Sequence, residues 1–99
     1  GYKGLAMYAS TKSAMEGFSK NTAREWGTNG VRSNVVCPGF MDTDMSASLT
    51  DEQKNRIFNR NSRKSEITTY DVANTIEFLL SDLSNGITGQ IIHVDNGTI

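Results

Sequence analysis

Val31-Arg32-Ser33-Asn34-Val35-Val36-Cys37-Pro38-Gly39 is the stretch whose reading decides the fold. Val31, Val35, Val36 and Cys37 are its apolar members, in a short run rich in β-branched residues. Asn29-Gly30 precedes the run and Pro38-Gly39 ends it. A run of this kind, straight after a helix and a turn, predicts a buried parallel strand over Val31–Cys37.

Working outward, the residues before it predict a helix from about Tyr8 to Trp26. Ala9, Ala14, Met15 and Ala23 are good helix formers, and no proline interrupts the segment. Met15, Phe18, Thr22 and Trp26 recur at helical spacing and are expected to form one packed stripe. Gly27 and Asn29-Gly30 stop that helix. After the strand, Thr50-Asp51-Glu52-Gln53 is a capping-box sequence that should open a short helix reaching about Asn59. Another helix is expected from Thr69, with Val72, Ile76, Leu79, Leu80 and Leu83 on its buried face. Gly86 and Gly89 punctuate its exit. Gln90–Val94 reads as a second strand, and Asp95-Asn96-Gly97 as a turn. A strand, a helical crossover and a second strand make a parallel βαβ unit of the α/β class. Two strands are too few for a doubly wound sheet, so neighbouring strands are expected from outside this sequence.

The chain has 99 residues, enough for one domain at most. Ten Lys and Arg against eleven Asp and Glu leave a net charge of −1, which argues against a nucleic-acid or membrane-surface partner. Arg56, Arg60, Arg63 and Lys64 come nearest to a basic cluster and read as a solvated helix face and loop. No membrane-spanning pattern is present. The one cysteine, Cys37, excludes an internal disulfide and reads as a small buried filler. A reducing, cytoplasmic setting fits, with organellar targeting left open.

Tyr8 and Lys12 are four residues apart at the start of a helix, so both side chains fall on one face. A free phenol titrates near pH ~10 and is a poor base at neutrality. A nearby ammonium favours the phenolate, so the pair can serve as a general acid or base. That spacing alone is common in helices, and its surroundings carry the argument. Tyr8-Ala9-Ser10-Thr11-Lys12-Ser13-Ala14 leads into Gly17-Phe18-Ser19-Lys20 and Ala23-Arg24-Glu25. Then come the stretch from Gly30 to Gly39, Asp42-Thr43-Asp44-Met45, and Thr88-Gly89-Gln90-Ile91-Ile92-His93-Val94-Asp95. In this order the chain resembles the C-terminal part of a classical short-chain dehydrogenase/reductase, over essentially its whole length.

The resemblance implies a Rossmann-like doubly wound parallel sheet, incomplete in this chain. It implies that Tyr8 exchanges a proton with the substrate oxygen, and that Lys12 binds the nicotinamide ribose and lowers the tyrosine pKa. Pro38 and Gly39 match the dipeptide beside the nicotinamide ring. Met41 matches the position whose backbone amide meets the carboxamide. Thr43 matches the threonine that contacts the carboxamide or a nearby phosphate. Pro38-Gly39 at a strand's C-terminal end also stands where ligands bind in open α/β sheets. Read by itself, however, it is an ordinary strand-to-loop turn, and Thr43 by itself an ordinary turn or cap. Residues 44 to about 63 match the variable substrate-binding loop and helix.

The implied cofactor is NAD or NADP, with NADP slightly ahead although no residue present makes the choice. The implied partners are a small carbonyl or alcohol substrate and further copies of the chain in a dimer or tetramer. The implied reaction moves hydride between the nicotinamide and that substrate. Gly39–Met45 stands nearest to 3-oxoacyl-carrier-protein reductases, and the same stretch is shared with sugar, polyol and steroid dehydrogenases. The glycine-rich dinucleotide turn, the active-site serine and its assisting asparagine are expected upstream of residue 1. The chain alone is therefore expected to hold cofactor poorly and to be inactive. A rival reading is a non-catalytic assembly module, with Ala14, Gly17, Phe18 and Trp26 as packing residues.

Other residues carry less. Ser10 and Ser13 have no histidine near them in sequence and read as small packing residues. His93 has no second ligand at metal spacing, so no metal site is expected. Asp42 and Asp44 read as a solvated loop. Gly1–Gly4 and Gly27–Gly30 lack the strand–turn–helix setting of a phosphate loop.

Overall fold

The computed structural model describes residues 5–43 and 47–98. The chain runs α1 (Leu5–Trp26), β1 (Val35–Pro38), α2 (Asp51–Phe58), α3 (Thr69–Leu80) and β2 (Ile91–Val94), with 3₁₀ turns at Gly27–Asn29 and Asp82–Ser84. β1 and β2 pair in parallel with Val35 opposite Ile91 and Pro38 opposite Val94. The α/β class and the parallel crossover thus stand as expected. Among the described residues the sheet has two strands, and the second edge of β1 is unpaired.

β1 starts four residues later than the sequence predicts, for a physical reason. Arg32 and Asn34 direct their side chains at the far end of the crossover. Arg32 donates through Nη2 to the carbonyls of Leu79 (2.9 Å) and Ser81 (3.3 Å), and through Nη1 to that of Ile87 (3.2 Å). This places a cation at the C-terminus of α3, where the helix dipole favours it. Asn34 donates to Ile87 O and accepts from Gln90 N, at 2.9 and 3.0 Å. The Ser33 carbonyl accepts from Gly89 N at 2.7 Å. Backbone pairing to Gln90 begins only at Val35 N.

Both helices of the crossover start on capping boxes. Thr50 and Gln53 form the expected one. Thr68 and Asp71 form a second, on a Thr-x-x-Asp pattern that fixes the start of α3 at Thr69. The backbone N–H and then the hydroxyl of Thr68, with the charge of Arg63 adding to them, hold the Asp71 carboxyl below its ordinary range.

The packed stripe expected on α1 is not the one observed. Phe18 is 75% exposed, and Met15 and Trp26 are also exposed. The buried residues of α1 are Ser19 and Ala23. Small side chains are needed there because α1 approaches the turns around β1. Ser19 Oγ lies 2.8 Å from Ser33 Oγ, and a β-carbon on Gly89 would stand 3.6 Å from the Ala23 methyl. On α3 the expected face is only partly covered. Leu79 is buried, whereas Ile76 is exposed, Leu80 is 81% exposed, and Leu83 beyond the helix is exposed too. Ile76, Leu79 and Leu80 border an open cavity of about 510 Å³ with Arg32 and with Val36 of β1, the strand whose second edge is unpaired. An apolar surface flanking a strand with an unpaired edge is one that a larger sheet covers. Cys37 is buried, as its apolar setting implied.

Candidate active site

The site lies at the C-terminal ends of the two parallel strands. Gly39 N donates to Val94 O at 2.9 Å, extending the ladder one step past β1. Gly39 has no room for a side chain. A β-carbon there would stand 2.7 Å from both Asp95 Cβ and Ile67 Cδ1. Ile67, only 1% exposed, therefore packs directly under the loop that leaves β1. That loop is held from the other side by α2. The Phe40 and Phe58 rings lie 5.6 Å apart at 53°, and Lys54 Nζ is 3.0 Å from Asp42 Oδ1. Asp42 is thus an ion-pair partner, where the sequence suggested a solvated loop. Asp44 and Gly1–Gly4 lie outside the described residues.

Tyr8 and Lys12 sit in the first turns of α1 and face β1. Together with Met15, Val36, Cys37 and Pro38 they line a cavity of about 220 Å³. Tyr8, 65% exposed, also borders a second cleft of about 500 Å³ with Gly39, Phe40, Met41, Thr43 and Leu49. The six residues singled out in sequence therefore surround two adjoining cavities that share Tyr8. The local reason is simple. An uninterrupted helix carries Tyr8 and Lys12 on one face, and β1 delivers Pro38 and Gly39 to the same end of the sheet. Phe40 and Leu49 were not singled out, because an isolated Phe or Leu in a loop reads only as packing.

A phenol, an ammonium and a flat apolar wall make a donor set that fits a nicotinamide riboside. The phenol and ammonium suit a ribose diol, and Pro38 offers the ring a face. Among the described residues no cluster of His, Cys, Asp or Glu is suited to a metal ion. No helix among them is long and apolar enough to cross a membrane.

With this geometry in hand, comparison with known proteins gives a consistent result. The family model described as enoyl-(acyl carrier protein) reductase matches residues 1–98. The 3-oxoacyl-[acyl-carrier-protein] reductases of Staphylococcus epidermidis and Escherichia coli are each 40% identical over 97 residues, covering 98% of this chain. The chain spans 40% of the length of those relatives. The structure of a short-chain type dehydrogenase/reductase from Mycobacterium ulcerans superposes with a TM-score of 0.85 at 35% identity, covering 92% of this chain and 34% of that one. Their fold is the Rossmann-like one expected from the sequence. The chain belongs to the short-chain dehydrogenase/reductase family.

Proposed function

We propose that this chain is the C-terminal, proton-transferring part of an NAD(P)-dependent oxidoreductase acting on a carbonyl or its alcohol. The observation that carries the reading is the convergence of Tyr8, Lys12 and Pro38 on one cavity beside the open cleft at Gly39, Met41 and Thr43. The bound nicotinamide supplies or accepts the hydride. Tyr8 gives its phenolic proton to the carbonyl oxygen during reduction, and takes it from the hydroxyl during oxidation. Lys12 keeps a positive charge beside the phenol and holds the ribose. Pro38 and Gly39 bound the ring, while Met41 and Thr43 hold the carboxamide. General acid catalysis of this kind contributes typically about 10²–10⁴-fold.

The glycine-rich dinucleotide turn and the carbonyl-polarising serine belong, in this reading, to a segment that completes the sheet along the free edge of β1. The intact protein is cytoplasmic and homo-oligomeric. Exposed Phe18, Met15 and Trp26 on α1 support self-association. The substrate is a 3-oxoacyl thioester, supported by the names of the relatives, and the cofactor is NAD or NADP. The assay is turnover of the intact protein with NADPH or NADH on acetoacetyl, enoyl and polyol substrates. Reduction of acetoacetyl thioesters supports the reading. Activity on a polyol or an enoyl thioester alone would overturn the substrate assignment, and no nicotinamide-dependent turnover would overturn the function.

A further inference from the structure

A third cavity, of about 240 Å³, adjoins the other two and has a different chemistry. It shares Lys12 and Pro38 with the first and Gly39 and Phe40 with the second, and its far wall carries Arg60, Asn61, His93 and Asp95. The ion pairs of the described residues join Lys54 to Asp42 and Arg56 to Glu52, and His93 Nδ1 lies 4.0 Å from Asp95 Oδ2, so Lys12 and Arg60 have no acidic partner among the described residues. Asp95 is the acidic side chain on this wall. Its Oδ1 already accepts from Gly97 N at 2.9 Å and Thr98 N at 3.3 Å.

Asn61 is the informative residue. It is 5% exposed, and its Oδ1 accepts from Thr98 Oγ1 at 2.7 Å. Its amide nitrogen donates to no protein acceptor, yet no side-chain polar atom among the described residues is both sealed from solvent and unpartnered. That nitrogen is therefore not sealed, and Asn61 lines this cavity. The cavity therefore offers the cations of Lys12 and Arg60 and the amide of Asn61 on one lining, a set suited to an acceptor of negative charge.

We propose that this chamber binds an oxyanion, carboxylate or phosphate, carried by the substrate whose carbonyl or hydroxyl stands at Tyr8. The inference rests on the oxidoreductase reading and narrows its substrate to acidic molecules with an apolar middle, because Phe40, Met41 and Leu49 line the intervening cleft. Arg60 and Asn61 are then specificity residues. They act on binding and not on proton transfer.

The test uses the intact protein saturated with its nicotinamide, so that the cofactor's own phosphate sites are filled. Calorimetric titration with inorganic phosphate should give binding that weakens about 10-fold or more in Arg60→Gln and in Asn61→Asp. Asn61→Asp keeps the acceptor for Thr98 while replacing the donor by a charge. Kinetics with an oxo-acid and its neutral amide should show the same loss in kcat/KM for the acid alone. Equal effects on acid and amide, or none, would overturn the proposal. So would phosphate binding only without cofactor, which would assign the oxyanion to the cofactor. Should the protein turn over no carbonyl substrate, the phosphate titration still decides whether the chamber exists.

Discussion

Gly39 and Asp95 are in such close contact that a β-carbon on the glycine would stand 2.7 Å from the aspartate Cβ. The contact joins the end of β1 to the turn after β2, and Ile67 closes it from below. Gly39→Ala must push two elements apart. It should destabilise the protein by about 1–3 kcal/mol, as overpacking does, and shift the Tyr8 cleft. Thermal melting and the nicotinamide Kd check it. An unchanged melt and Kd would mean that the contact is loose.

Ile67→Ala is the converse experiment. It empties a site that is 1% exposed and should cost about 2–5 kcal/mol in denaturant unfolding. Because Ile67 lies under the β1 exit loop, the nicotinamide Kd should weaken in the same variant.

Arg32 caps three carbonyls, those of Leu79, Ser81 and Ile87. Arg32→Met keeps most of the stem and removes the donors. It should cost about 1.5–3 kcal/mol, the range for hydrogen bonds to a charged group. Hydrogen exchange should accelerate first at 79–90, ahead of α1.

Asp71 gives a pH prediction with a definite sign. Its folded pKa lies below the unfolded value, through its Thr68 hydrogen bonds. The stability it contributes is present above the unfolded pKa, near ~3.9, and is lost as pH falls through the folded pKa. Asp71→Asn should flatten the stability–pH curve below about pH 4 and leave its shape near neutrality unchanged. Thr68→Ala removes the cap itself and should cost about 1 kcal/mol at neutral pH.

Much of this architecture was legible in local chemistry. The Thr50 capping box, the αL glycine at Gly30 (φ 78°) and the β-branched run at Val35-Val36 each have one dominant reading. The Tyr8–Lys12 face followed from helical spacing. What escaped was set by distant partners. Arg32 and Asn34 look like strand residues until their hydrogen-bond partners at 79–90 are known. Phe18 and Leu80 have the spacing of core residues, yet nothing among the described residues covers them. Arg60-Asn61 and His93 are far apart in sequence; the parallel pairing sets His93 beside Cys37, and the antiparallel bridge of Asn61 to Thr98 brings Arg60-Asn61 to the Lys12 cavity.

The central claim is that Tyr8 transfers the proton. Tyr8→Phe keeps the ring and removes only the hydroxyl. In the intact protein with saturating nicotinamide, the single-turnover rate should fall about 10²-fold or more, with cofactor Kd and assembly state unchanged. A rate within a few-fold of the unaltered protein would contradict the account.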